Sequence, residues 1–488
     1  MSVRLSSATL PAAAETVAIP GYDRSSLSAG ILHFGVGNFH RAHQAVYLDD
    51  LFNLGEGHDF AIVGAGMLPF ETAMRDKLAA QDFLTTVVEQ DNNRTAARVT
   101  GAMIDYLPIG DGKAIIEKLV DPAIRIVSMT ITEGGYFVDA SGHFDPTQKP
   151  IVDDGHNPEN PKTVFGLIAA GLKARREKGL VPFTVMSCDN IPHNGVVARD
   201  AVAGTAALSD PALANWIREN VAFPNSMVDR ITPATSPREI DMLEAEFGIA
   251  DNWPVYCEEF KQWVMEDNFP AGRPALDKVG VTFVDNVAPW ELMKIRILNG
   301  GHAAIAYPGI LFDIQYVHEA MEHPLIAAFL EKLTKDEIIP VVPPVPGTAL
   351  EDYRKLIEHR FLNPKIADTV ARLALDGSNR QPKFIVPTIR DRLAAGQGID
   401  GLALVSAMWC RALGGQSETG QDMPLVDPNL GRIRAAAEAA RTDPDAFLAL
   451  TEVYGDLADD AIFRERFAFM LRSLWEKGVE ATLKSYLA

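Results

Sequence analysis

One run constrains the fold of this chain more than any other: an apolar strand that ends in a glycine turn and passes at once into a helix. Ala29-Gly-Ile-Leu-His-Phe-Gly35 reads as the strand. The turn continues as Gly35-Val-Gly37-Asn38-Phe39-His40-Arg41-Ala-His43, and a helix is predicted from Gln44 to Leu54. The first glycine permits a tight turn. The second lets backbone approach a pyrophosphate, and the helix start offers free N–H groups to the anion. The third glycine of the usual G-x-G-x-x-G pattern is missing, because position 40 is His40. A tight turn with a purely structural role would look the same locally. The sequence that follows favours the dinucleotide reading.

A second strand is predicted at Asp59-Phe-Ala-Ile-Val-Gly64, and strand, helix and loop alternate from there. Arg125-Ile-Val-Ser-Met-Thr-Ile-Thr132 and Pro182-Phe-Thr-Val-Met-Ser187 are buried-strand candidates. Such alternation argues for a parallel sheet with helices on its faces. From about Pro289 the segments become long and helix-periodic: 290–306, 324–333, 350–359, 366–375, 399–413, 430–440, 446–454 and 463–476. Pro340-Val-Val-Pro-Pro-Val-Pro-Gly347 is too proline-rich for helix and should be extended. The expected fold is therefore α/β, with a Rossmann-type dinucleotide-binding domain over residues 1–286 and a mostly α-helical domain over 287–488.

At 488 residues with 47% hydrophobic content, the chain can bury a core for two or three domains. Its net charge of −20 would repel a phosphate backbone, so no nucleic-acid partner is expected. Cys188, Cys257 and Cys410 are scattered without metal spacing, which suits a reducing cytosol. The first twenty residues lack a continuous apolar run, and no run reaches the roughly 18 residues that span a bilayer. A cytoplasmic protein without a membrane partner is expected.

The chemistry concentrates in Lys294-Ile-Arg-Ile-Leu-Asn299-Gly-Gly-His302, inside an otherwise apolar segment from Trp290 to Ile310. On an α-helix these three polar residues span an arc of roughly 140°. A lysine in apolar surroundings has its charged form disfavoured, which suits a general base near neutral pH. The plain alternative is a core helix whose lysine snorkels to water and whose histidine is buried and satisfied. Asn190 follows a strand, where ligand crevices lie in open α/β sheets, and its amide could donate to a developing alkoxide. An ordinary Asp-Asn turn feeding Pro192 is the competing account.

His318 and His323 are five apart, not the four of a zinc-binding helix. No zinc ligand set is visible, and no Tyr-x-x-x-Lys is present. Oxidation of an alcohol here would need a metal-free base, and Lys294 is the candidate. At the end of the second strand Met67, Leu68 and Pro69 are not acidic; Glu71 is the nearest carboxylate and Arg75 the nearest arginine. Those residues leave the choice between NAD and NADP open.

Several ordered blocks make the chain recognisable. They are Gly35 to His43, Thr130-Ile-Thr-Glu-Gly-Gly-Tyr136, Ser187-Cys-Asp-Asn190, Asn225 to Pro233, Gln262 to Phe269, Glu291 to His302, Val345-Pro-Gly347 and Asp376 to Lys383. Together they resemble the polyol-specific long-chain dehydrogenases, most closely that family's mannitol-oxidising members. The Lys-x4-Asn-x2-His order is the specific element.

The resemblance implies an active site between a Rossmann-type and a helical domain. It implies Lys294 as general base, Asn190 with Asn299 as the oxyanion-stabilising pair, and His302 as a substrate-positioning group. Glu291 would gate proton passage from Lys294 to solvent. Asp229, Arg372 and Arg380 would contact substrate hydroxyls, the last replacing a residue that is often lysine. Read as plain residues, Asp229 could equally pair with Arg230, and the two arginines could line a solvated helix face. Gly35, Gly37, Asn38, Phe39 and Thr130 would hold the cofactor, NAD, and no metal would be needed. The implied reaction interconverts D-mannitol and D-fructose in a monomeric enzyme. A hexuronate reductase, a dehydrogenase of another polyol such as arabinitol or sorbitol, and a non-catalytic nucleotide sensor are the alternatives.

Overall fold

The computed structural model describes residues 2–139, 142–423 and 425–488. They form two compact units, Met1–Ala288 and Pro289–Ala488.

The first unit is built on five strands: β1 (Ala29–Phe34), β2 (Ala61–Ala65), β3 (Met103–Tyr106), β4 (Ile126–Met129) and β5 (Thr184–Ser187). Their spatial order is β3-β2-β1-β4-β5, and every neighbouring pair is parallel. Side chains alternate between two buried faces, as the pleat requires. Leu32, Phe34, Val63, Val127 and Val185 enter one core with Val164–Glu177 and Asn194–Ala207. Ile31, Ile62, Ile126 and Met186 enter another with Gln44–Asn53. Fully burying one such side chain is worth about 1.5–3 kcal/mol, so both faces of the sheet stabilise the unit.

The helix expected from Gln44 is present as Gln44–Asn53, but a separate short helix, Asn38–Ala42, precedes it. The break falls at His43, with φ −121° and ψ −87°. There the ring stacks on Phe39 and its Nε2 lies 2.9 Å from the Gln262 carbonyl. The unit also contains antiparallel pairing that simple alternation does not suggest. Thr85–Asp91 pairs with Arg94–Thr100 across a two-residue turn, and Ser226–Asp229 pairs with Gln262–Glu266.

The second unit is helical in all its main elements. Asp400–Leu413 is buried all round from Gly401 onward, as befits a central helix. From this helix Trp409 packs against Phe447, which joins Tyr454, Phe463 and Phe467 in an aromatic cluster with ring centroids 4.9–6.4 Å apart. The segment expected as a helix over 366–375 is mostly irregular, with only Val370–Leu373 α-helical. No helix among the described residues is long and apolar enough to cross a membrane.

The segment expected as one α-helix, 290–306, differs in a way that bears on function. It runs as α-helix over Ala288–Met293, as π-helix over Lys294–Asn299, and as α-helix again over Gly300–Leu311. The Gly300 N–H reaches back five residues to the Ile295 carbonyl. This wider turn takes more residues per revolution. Lys294 and Asn299, far apart in azimuth on an α-helix, come closer to one line along the axis.

Candidate active site

Gly35 sits at φ +85°, and a Cβ there would fall 2.1 Å from the Thr130 carbonyl. Only glycine meets both demands. Gly37 is different. A Cβ there would meet nothing nearer than the Gly35 carbonyl at 3.8 Å, so the protein leaves space beside it. That is the cradle an approaching pyrophosphate needs.

Beneath the turn lies a set of buried histidines. His40, at the third-glycine position, stacks on His33 with centroids 3.5 Å apart. His33 Nδ1 lies 2.8 Å from Ser128 Oγ, and its Nε2 3.1 Å from Thr130 Oγ1 and 3.3 Å from the Gly35 carbonyl. Burial pushes the His33 and His43 rings down to about 3 and His40 well below its ordinary value, so all three are neutral. Arg41 is also buried, and burial lowers it to about 10. It donates to the Gly37 and Trp253 carbonyls and to Asn38 Oδ1.

The structure engages several expected cofactor residues inside the protein. The Asn38 amide donates to the Pro233 carbonyl (3.0 Å) and Thr235 Oγ1 (2.9 Å). Phe39 stacks on His43, and the Thr130 hydroxyl donates to the Gly35 carbonyl (2.7 Å). These three side chains shape the turn from behind.

Glu71 stands five residues past the end of Gly66 in sequence but folds back over it. A Cβ on Gly66 would be 2.7 Å from the Glu71 carboxyl, and the Leu68 N–H donates to Oε2 at 2.7 Å. Burial raises this carboxyl, while backbone N–H groups of Leu68 and Met67 pull it down. A carboxylate therefore does occupy the carboxyl end of β2. Arg75 turns away, donating to the Tyr106 and Leu107 carbonyls.

Just past the end of β5, Asn190 is exposed and its neighbour Asp189 is buried. Asp229 is 6% exposed at the end of its strand, opposite Gln262. Arg230 commits its three nitrogens to the Glu258 and Ala42 carbonyls and to Glu89.

In the second unit Glu291 and Lys294 are 8% and 6% exposed, and Asn299 is half-buried. Every residue of Gly300–Leu311 is buried except His302. Its ring stacks on Phe361, and its Nε2 is buried without a hydrogen-bond partner in the protein. Burial first, then the positive charges of Arg372, Arg360 and Arg380, push it down to about 3, with Asp368 opposing. The fold thus gathers Arg372 and Arg380 around His302. Arg372 pairs bidentately with Asp368, and Arg380 Nη1 donates to the Leu373 carbonyl at 2.8 Å. An orphaned imidazole nitrogen amid guanidinium groups suits a polyhydroxylated ligand, which can both donate and accept.

Three contributors escape a reading of the sequence: Asp189, the buried His33, and the Phe361 platform. Asp189 had one signal, a carboxylate directly after a buried strand and beside a candidate amide. The others are visible only in space. His318 and His323 stack on Tyr316 and Phe312 respectively. Among the described residues no cluster of three or more His, Cys, Asp or Glu could hold a metal.

A parallel sheet of this order, a glycine turn closing its first strand, and a helical unit carrying a buried lysine define a Rossmann-type oxidoreductase. Residues 29–278 match the mannitol dehydrogenase Rossmann domain, and residues 286–475 the mannitol dehydrogenase C-terminal domain. The chain is 59% identical to a mannitol 2-dehydrogenase of Cereibacter sphaeroides, over 97% of this chain and 99% of that one. A ternary complex of Pseudomonas fluorescens mannitol 2-dehydrogenase with NAD and D-mannitol is 44% identical, covers 99% of both chains and superposes with a TM-score of 0.88. A D-sorbitol dehydrogenase in substrate-free form is 38% identical, covers 98% of this chain and 100% of that one, and has a TM-score of 0.92. This chain belongs to the mannitol dehydrogenase family.

Proposed function

We propose that this chain is an NAD-dependent polyol dehydrogenase that interconverts D-mannitol and D-fructose, with Lys294 as its general base. The observation that carries the reading is Lys294 itself: buried, at the head of a π-turn that draws Asn299 toward its line, with His302 three residues further on.

The glycine turn fits the cofactor, because Gly37 leaves open space where a pyrophosphate would lie. The Glu71 carboxylate over Gly66 can accept from a ribose 2′-hydroxyl and would repel a 2′-phosphate. NAD supplies the ring that accepts the hydride. The protein's residues do the rest. Lys294 takes the proton of the alcohol as its carbon loses the hydride, and returns it to the ketone oxygen in the reverse direction. Asn190 and Asn299 donate to that oxygen as it gains negative charge. Losing one such donor typically costs about 2.7–4 kcal/mol of transition-state stabilisation. Glu291 relays the proton from Lys294 to water. His302 and Asp229 orient the polyol, and Arg372 and Arg380, held by Asp368 and the Leu373 carbonyl, present N–H groups to its hydroxyls.

D-Sorbitol is the second reading, favoured by the likeness to a D-sorbitol dehydrogenase. The two hexitols differ in configuration at one carbon, and both yield D-fructose on oxidation there. The deciding experiment is a panel of mannitol, sorbitol, arabinitol and mannonate, each with NAD and NADP, followed by NADH or NADPH absorbance. Mannitol with NAD should give the highest kcat/KM. Silence with every polyol rejects the reading. Lys294→Ala should lower kcat by about 100- to 10,000-fold while NADH still binds. Full activity in that variant removes lysine from the mechanism.

A further inference from the structure

Residues 130–132 leave β4 and touch both functional turns of the first unit. The Thr130 N–H continues the ladder to the Phe34 carbonyl (2.9 Å), and its hydroxyl donates to the Gly35 carbonyl (2.7 Å). The next two N–H groups point the other way. Ile131 donates to Asp189 Oδ2 at 3.0 Å and Thr132 to Asp189 Oδ1 at 2.9 Å. The Tyr136 hydroxyl, from the same loop, donates to Oδ2 at 2.7 Å and lies 2.5 Å from Ser187 Oγ.

One carboxylate thus ties down a loop that is otherwise strained. Thr132 has φ 62° and ψ 164°, a region almost reserved for glycine and hostile to a β-branched residue. Phe137, at the loop's far end, is also left-handed at φ 53°. Thr132, Glu133 and Gly134 are nevertheless exposed, so core packing does not hold them. Asp189 is itself fixed. Its carbonyl accepts from Asn194 Nδ2 (3.0 Å) and from the Ile191 N–H (2.9 Å), which leaves Asn190 between two anchored neighbours.

We propose that Asp189 is a positioning residue whose carboxylate, through Ile131, Thr132 and Tyr136, braces the catalytic Asn190 against the cofactor's glycine turn and so sets the spacing between amide and nicotinamide. The inference rests on the dehydrogenase reading above. Asp189 touches neither substrate nor cofactor. It makes Gly35, the 130–136 loop and Asn190 one rigid part, so that the amide is already placed when the alcohol binds. The strain at Thr132 is the mark of a conformation imposed for position.

The test compares wild type with Asp189→Asn and Tyr136→Phe. Asparagine keeps the shape but turns a donor toward one of the two backbone N–H groups; phenylalanine removes a single bond. Hydrogen exchange read by mass spectrometry on the peptide covering 130–136 reports the brace without any turnover, and both variants should exchange faster there. Asp189→Asn should lower kcat for mannitol by about 10- to 100-fold and Tyr136→Phe by less, with NADH affinity within about twofold of wild type. Faster exchange with wild-type kcat overturns the proposal, because the loop then has no bearing on catalysis. Loss of NADH affinity in step with kcat also overturns it, because the role is then general folding. A wild type silent with every polyol takes down the dehydrogenase reading as well. An active wild type with an equally active Asp189→Asn removes the brace alone.

Discussion

The His302 imidazole stacks on the Phe361 ring with centroids 4.7 Å apart and planes 23° from parallel, which leaves its buried Nε2 without a partner in the protein. A neutral ring held flat against an aromatic platform can offer polar contacts only through its nitrogens. His302→Ala should raise KM for mannitol about tenfold, the worth of one hydrogen bond, with a smaller effect on kcat. Phe361→Leu keeps an apolar contact but frees the ring, and should raise KM severalfold. Because burial holds His302 at about 3, its protonation contributes no limb to the activity profile in an ordinary assay range. Steady-state kinetics against pH for wild type and His302→Ala should therefore give the same profile shape.

The two glycines of the turn should fail differently. Gly35→Ala places a Cβ 2.1 Å from the Thr130 carbonyl at φ +85°, so the fold itself must shift. A lower melting temperature and lost NADH binding are expected together. Gly37→Ala meets only the Gly35 carbonyl at 3.8 Å. That variant should melt like wild type and still bind NADH weakly, because the methyl occupies cofactor space. Thermal melts beside fluorescence titration with NADH separate the two.

Glu71 should carry the discrimination between cofactors. Its carboxylate lies over Gly66 at the carboxyl end of β2, and a like charge brought beside it costs several kcal/mol. Glu71→Gln should raise the ratio of kcat/KM for NADP to that for NAD by about tenfold or more. An unchanged ratio would place the discrimination elsewhere.

Asp189 should leave a signature in stability. Burial raises its carboxyl from 3.8 to about 6, against the pull of the Tyr136 hydroxyl and the Ile131 and Thr132 N–H groups, with Glu133 adding to the rise. Its folded-state value lies above the unfolded one. The stabilising contribution is therefore full below pH 3.8 and is lost as pH rises through about 6. A shift of that size corresponds to about 3 kcal/mol. Asp189→Asn cannot ionise, so the melting temperature of the variant minus that of wild type should climb between those two pH values and then level. A gap independent of pH would mean that Asp189 ionises as freely in the fold as out of it.

Much of this was legible in the residues. β1 and the glycine turn are local, and a short apolar run ending in a turn residue suffices to read them. The two-faced burial of Ile31 and Leu32, or of Ile62 and Val63, is written in continuous apolar runs. The antiparallel pairing of Ser226–Asp229 with Gln262–Glu266 is not, because it joins segments more than thirty residues apart and depends on what each finds as a partner. The π-turn at Lys294 is equally silent in sequence. An α-helix and a π-helix share the same apolar segment, and tertiary packing chooses between them.

The sequence by itself determined which chemistry is available: a lysine, two amides and a histidine in a fixed order, and a glycine turn after the first strand. It did so because residue type and local spacing decide what a side chain can donate, accept or permit. Only the tertiary structure decided where those groups are held. Glu71 lies over Gly66, Asp189 grips Thr132, and Arg372 and Arg380 surround His302, because burial and hydrogen-bond satisfaction act between residues that the linear order keeps apart.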